Sequence, residues 1–244
     1  MRTKIFAHRG DKHDAPENTL IAFTKAVALG VDGIETDVHL TKDGHMVIIH
    51  DEDVDRTTDG QGLIKDLTLA QLKRLNANQT HPELGIQRIL TLGEMVQALN
   101  DLHFTGDVNL EIKTDHIHYP GIEALVADFF ATHAHSFNVI YSSFNLQSTQ
   151  QMLKLAPQTE TAGLMIYHYR AMKTLFKNRQ IKIFHPEIRL LMVHPIFSFH
   201  HYFRPWTVNT KFEIAFCLYH RYVGLITDNP ALALKMRNHI QGGK

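Results

Sequence analysis

Short apolar runs of strand length alternate along this chain with stretches in which apolar residues recur at helical spacing, a pattern that predicts parallel βα units. Strands are predicted near residues 4–8, 33–40, 46–50, 107–113, 138–143, 160–166, 181–185, 204–208 and 223–227. Between most of them the apolar positions repeat every three to four residues. Leu20, Phe23 and Val27 mark one face of a first helix, which stops at Gly30. Thr68-Leu69-Ala70-Gln71 and Thr91-Leu92-Gly93-Glu94 each match a reciprocal N-terminal cap, and Pro230 opens a last helix that runs to about His239.

Nine strands is one too many for an eight-stranded barrel, and the surplus has a physical explanation. Only Thr41-Lys42-Asp43-Gly44 separates the second strand from the third, and Asp-Gly is a strong hairpin signal. Parallel neighbours need a crossover of roughly a dozen residues or more. The run 46–50 is therefore expected to return antiparallel beside 33–40, outside the repeat. The other eight strands then close a (β/α)8 TIM-type barrel, a single domain over 1–244 with a small insertion after the second barrel strand at about 39–90. If Asp43 and Gly44 are the two turn residues, Asp37 lies opposite His50 with Cβ atoms roughly 5 Å apart. A bulge of one residue would break that pairing.

Composition changes the picture by exclusion. Twenty-five basic residues balance 25 acidic ones, so no bulk attraction to nucleic acid or to an anionic membrane is expected. The single cysteine, Cys217, excludes an internal disulfide and fits a reducing compartment. Met1-Arg2-Thr3-Lys4 runs straight into a strand without a secretory pattern, and no apolar run reaches membrane-spanning length. A cytoplasmic protein without stable membrane insertion is expected, and nothing in these patterns excludes a homo-oligomer. Of the 18 histidines, His81, His116, His118, His133, His135, His200, His201 and His239 fall in polar stretches and are expected at the surface.

Five ionisable residues stand out because they interrupt or end the apolar runs: His8, Glu35, Asp37, His50 and Glu111. Such groups are costly on buried strands unless paired or bound to a metal. Alternation puts Glu35 and Asp37 on one strand face, and Glu111 shares its face with Asn109 and Lys113. Three carboxylates make a hard oxygen site suited to one divalent cation, Mg²⁺ or Ca²⁺, and zinc fits less well without a nearby cysteine. Two imidazoles not needed as ligands can serve as base and acid. Arg9 and Lys113 are cations placed to hold an anionic substrate, which favours phosphoryl transfer. Asn18 reads as a helix cap, Asp51 either orients His50 or ends its strand, and Arg56 reads as an organiser of the insertion.

At these residues the chain resembles the glycerophosphodiester phosphodiesterase family. The resemblance is carried by His8-Arg9-Gly10, Pro16-Glu17-Asn18-Thr19, Glu35-Thr36-Asp37, Thr41-Lys42-Asp43-Gly44, His50-Asp51 with Arg56-Thr57-Thr58, Glu111-Ile112-Lys113, Ser142-Ser143-Phe144, Trp206-Thr207-Val208-Asn209 and Thr227-Asp228-Asn229-Pro230, in family order. It implies a (β/α)8 barrel, a divalent cation on Glu35, Asp37 and Glu111, and His8 with His50 as the acid–base pair. It also implies phosphate contacts from Arg9 and Lys113, a pocket wall at Trp206, and cleavage of glycerophosphodiesters such as glycerophosphocholine or glycerophosphoethanolamine to glycerol 3-phosphate and an alcohol. The chain departs from the family pattern at Leu90, where proline is usual, at Arg221-Tyr222-Val223, and in the aromatic, His-rich stretch 197–203. These departures bear on loop shape and substrate range. A phospholipase D acting on lysophospholipids and a non-catalytic phosphodiester-binding barrel are the alternative readings.

Overall fold

The computed structural model describes residues 2–165, 181–193 and 202–242. The expected strands at 4–8, 33–40, 107–113 and 138–143 appear as β1 (Lys4–His8), β2 (Gly33–Leu40), β5 (Asp107–Ile112) and β6 (Asn138–Ser143). They continue through β7 (Glu160–Met165), β8 (Phe184–Pro186) and β9 (Gly224–Thr227). All seven pair in parallel, in the order β9, β1, β2, β5, β6, β7, β8. The eighth position is filled by residues 203–208. Arg204 and Trp206 donate backbone N–H groups to the Phe184 and Pro186 carbonyls on one side. On the other side Val208 donates to Ile226, and Ile226 donates to Pro205. The sheet thus closes on itself as a (β/α)8 barrel.

Helices cover its outer face: α1 (Leu20–Leu29), α3 (Leu92–Asp101), α4 (Ile122–Thr132), α5 (Leu146–Leu155), α6 (Ile188–Val193), α7 (Lys211–Tyr219) and α8 (Pro230–Gln241), with a short α2 (Leu69–Leu72) in the excursion after β2. The main core lies between these helices and the strands, and includes Ile5, Ile34, Val108, Leu110, Val126 and Leu225. Phe6, Ile140, Ala162 and Ile226 form a separate cluster. They come from four strands spread around the ring, so they meet through the barrel interior and floor it. Thr68 and Thr91 cap their helices reciprocally with Gln71 and Glu94, as expected. The first helix differs in one respect: its buried residues are Ala22, Phe23 and Ala26, while Leu20 is 47% exposed.

The surplus strand behaves as the short connection requires. It forms β3 (Met46–Ile48), antiparallel to β2, with β4 (Leu90–Thr91) on its far edge. Val47, Ile49, Val54, Ile64, Leu72, Ala77 and Ile89 bury one another in a cluster of their own above this ribbon. The predicted register is off by one residue. Val38 faces Ile48 and Leu40 faces Met46. The loop has three residues, not two: Thr41 N–H donates to the His45 carbonyl at 2.9 Å, and Gly44 takes φ 81°. This is the one-residue bulge that moves Asp37 away from direct pairing with His50. The described surface histidines, His81, His116, His118, His133, His135 and His239, are all exposed or half-buried. His200, His201 and most of the aromatic stretch 197–203 lie outside the described residues.

Candidate active site

Strand register brings four of the five singled-out residues together at the C-terminal end of the barrel. His8 is the register partner of Glu35 across β1 and β2, and Asp37 is the partner of Glu111 across β2 and β5. Within β2, residues two apart share a face, so Glu35 and Asp37 both point inward. Glu35, Asp37 and Glu111 each offer an oxygen within 4.8 Å of the others, and all three are buried. Burial, followed by the charges of Asp37 and Glu111, pushes the Glu35 carboxyl well above its ordinary range. Glu111 is raised as well, by burial first, although Lys113 opposes the shift. Burial alone would also raise Asp37, but His50, Arg9 and Lys113, with the Asn18 hydrogen bond, hold it below the usual carboxylate range.

The donor set fits a divalent cation. Asp37 Oδ1 is buried without a protein hydrogen-bond partner, and three carboxylates are crowded where each raises the cost of ionising the next. An all-oxygen triad suits Mg²⁺ or Ca²⁺. Around it stand two cations. Lys113 donates to Glu111 Oε1 at 2.8 Å and lies 3.9 Å from Asp37 Oδ1. Arg9 donates to Glu17 Oε1 at 2.8 Å, and its Nε is 3.6 Å from Asp37. Arg9 and Asn18 adopt left-handed backbone angles of 58° and 57°. The strained pair is held because Asn18 N–H donates to the Arg9 carbonyl and Arg9 N–H to that of Glu35. Gly10, at φ 81°, lies where a Cβ would meet Ala22 at 2.8 Å.

The two histidines are mounted alike on different supports. His8 Nδ1 lies 2.5 Å from Asp228 Oδ1 at the end of β9, and its Nε2 is 3.7 Å from Glu35. His50 Nδ1 lies 2.6 Å from Asp51 Oδ1, beyond the end of β3. A carboxylate only accepts, so in each ring Nδ1 carries the hydrogen and Nε2 is left to exchange a proton. Burial first, then the Arg9 charge, lowers the His8 pKa to about 4 against the pull of Asp228. Arg56 ties the support of His50 to the partner of Arg9, donating to Asp51 at 2.6 and 3.1 Å and to Glu17 at 2.7 and 2.9 Å. Trp206 is half-buried. Its ring meets Phe144 edge-on at 5.4 Å, and its indole N–H donates to the His185 carbonyl.

Asn18 and Asp228 escape the sequence reading as contributors to the site. Asn18 is not the helix cap, which is Thr19; it donates to Asp37 Oδ2 at 2.9 Å. Asp228 sits in the turn between β9 and the last helix and accepts from Asn209 at 2.8 Å while holding His8.

The model of the glycerophosphoryl diester phosphodiesterase family matches residues 8–232. The chain belongs to this family. It is 37% identical to a glycerophosphodiester phosphodiesterase of Caldanaerobacter subterraneus over 97% of this chain and 98% of that one. A glycerophosphodiester phosphodiesterase of Bacillus altitudinis is also 37% identical, over 98% of this chain and all of its own. Among solved structures, an Oleispira antarctica phosphodiesterase in complex with its product sn-glycerol-3-phosphate superposes with a TM-score of 0.83 at 26% identity, over 96% of each chain. A Thermotoga maritima glycerophosphodiester phosphodiesterase gives 0.77 at 25%, over 97% of this chain and 99% of that one. The chain is therefore a phosphodiesterase of a family that hydrolyses glycerophosphodiesters, built on a barrel with its carboxylate triad at the C-terminal end, where active sites of this fold lie. Among the described residues no helix is long and apolar enough to cross a membrane.

Proposed function

We propose that the chain hydrolyses glycerophosphodiesters such as glycerophosphocholine or glycerophosphoethanolamine to glycerol 3-phosphate and a free alcohol. The observation that carries the reading is the buried Glu35, Asp37 and Glu111 triad flanked by two imidazoles whose Nδ1 atoms are both fixed by carboxylates. Glu35, Asp37 and Glu111 would hold one Mg²⁺ or Ca²⁺, which when bound supplies charge stabilisation to the phosphoryl oxygens. Arg9 and Lys113 add cationic donors for the same anion, and the Trp206 and Phe144 rings wall one side of the pocket.

The proton work belongs to Nε2 of His8 and Nε2 of His50. One imidazole takes the proton of the attacking oxygen as the new P–O bond forms, either from water directly or from the substrate's own glycerol hydroxyl, in which case water then opens the cyclic phosphate. The other gives a proton to the departing head-group oxygen as the old P–O bond breaks. Asp228 and Asp51 keep each ring in the tautomer this needs.

The test is incubation of purified protein with a panel of water-soluble glycerophosphodiesters and either ion, with glycerol 3-phosphate measured enzymatically. Release is expected, and His8→Ala and His50→Ala should each lower it by roughly 10²- to 10⁴-fold. A panel that yields no glycerol 3-phosphate with Mg²⁺ or Ca²⁺ rejects the proposal. Turnover confined to acylated substrates would replace it with a phospholipase D.

A further inference from the structure

β3 leaves its ladder with β2 at Ile48, two residues short of His50. The imidazole of His50 is turned by Asp51, but the backbone that carries it needs its own anchor. That anchor comes from β2. His39 shares the inward face with Glu35 and Asp37, is fully buried, and places Nε2 at 3.0 Å from the His50 carbonyl oxygen. Its other nitrogen, Nδ1, lies 3.0 Å from the hydroxyl of Tyr119, whose ring meets it edge-on at 5.6 Å. A carbonyl only accepts, so Nε2 carries the hydrogen. Nδ1 of the neutral ring then accepts the Tyr119 hydroxyl hydrogen. Tyr119 thus sets the tautomer that His39 needs in order to donate to His50. The three residues come from β2, the turn after β3 and the segment between β5 and α4, so one imidazole joins three parts of the chain around the site.

We propose that His39, held by Tyr119, is a positioning residue that fixes the backbone of His50 and so aims its Nε2 at the substrate. The proposal rests on the reading of His50 as a proton-transfer group. Its chemistry is distinct from that of the triad: His39 binds neither ion nor substrate and acts through one hydrogen bond to a carbonyl. A misplacement of about 1 Å of a reacting group can lower a rate by roughly a hundredfold.

The experiment measures kcat and KM for His39→Leu, His39→Gln and Tyr119→Phe, with folding followed by circular dichroism. His39→Leu is expected to lower kcat by roughly 10- to 100-fold and to leave KM within about twofold, because only the reacting step is disturbed. His39→Gln, whose amide can still donate to the carbonyl, should recover most of the rate. Tyr119→Phe should fall between the two. Added to His50→Gln, His39→Leu should cause no further loss, because both act through one imidazole. A folded His39→Leu with unchanged kcat overturns the proposal. So do equal losses in His39→Leu and His39→Gln, or an effect of His39→Leu that persists in the His50→Gln background. If His39→Leu does not fold, Tyr119→Phe carries the test, and an unchanged kcat there overturns the proposal. A fully active His50→Gln removes the reading of the site itself and this proposal with it. An inactive His50→Gln beside an unimpaired His39→Leu removes the positioning role alone.

Discussion

Glu17 should make stability steeply pH-dependent, and Glu17→Gln should remove that dependence. The side chain is only 7% exposed and accepts hydrogen bonds from Arg9 and from both terminal nitrogens of Arg56. Burial alone would raise its pKa, but the Arg56 hydrogen bonds and the Arg9 charge bring it from 4.5 down to about 2. A carboxyl with a depressed folded pKa contributes stability that is complete above its unfolded pKa and is lost as pH falls through the folded one. At neutral pH the difference corresponds to about 3 kcal/mol. Arg56 is 44% exposed, so solvent screening trims its share and leaves about 2–3 kcal/mol. Urea unfolding of wild type and Glu17→Gln between pH 7 and pH 3 is the assay. The gap in unfolding free energy should be about 2–3 kcal/mol down to pH 4.5 and should shrink to about half or less by pH 3. A gap that stays constant over this range refutes the charge linkage, and no gap at pH 7 refutes the energetic role of the bridge.

Two further outcomes follow from the site. Mg²⁺ or Ca²⁺ at about 100 times its dissociation constant should stabilise the wild type by about 2.7 kcal/mol, seen as a rise in melting temperature that Asp37→Asn abolishes; an equal rise in both proteins would place the ion elsewhere. Asp228→Asn can still meet His8 Nδ1 but no longer favours the Nδ1–H tautomer by charge, so kcat should fall by roughly 10- to 100-fold while KM changes little; unchanged kcat would show that the 2.5 Å contact does not orient the ring.

The sequence exposes the barrel because alternation of strand and helix patterns is written in every repeat. It points to the candidate site because charged residues in apolar runs have few physical reasons to be there. His8, Glu35, Asp37 and Glu111 could be read in this way because parallel pairing keeps their strands in register once the barrel closes. The hairpin register could not. Two-residue and three-residue loops contain the same Thr-Lys-Asp-Gly letters, and the difference lies in whether Gly44 alone takes a left-handed angle. Asn18 was hidden by a second plausible use, since its residue type favours helix starts, and Asp228 by the 220 residues that separate it from His8. His39 was hidden by its place in an apolar strand, where a single histidine reads as core. Leu20 shows the reverse error: helical spacing names a face, but the helix rotates so that the small Ala22 and Ala26 approach the strands and Leu20 turns outward.

The two imidazoles share one hydrogen-bond pattern but depend on different parts of the molecule. His8 stands at a barrel strand end, and Asp228 beside it follows directly from β9, the register neighbour of β1. Its position is set by the sheet. His50 lies beyond the last rung of β3, on the segment that buries Ile49, Val54 and Ile64 in a separate cluster. What ties that segment to the barrel near the site is polar: His39 to the His50 carbonyl, and Arg56 between Asp51 and Glu17. Glu17 in turn holds Arg9, whose Nε faces Asp37. A continuous chain of charged contacts therefore runs from His50 to the carboxylate triad, with the guanidinium of Arg56 as its most exposed link. Loosening that link would displace His50 first, because the sheet holds His8, Glu35, Asp37 and Glu111 independently of it. The spacing between the two imidazoles is thus the part of the site that the barrel alone does not determine.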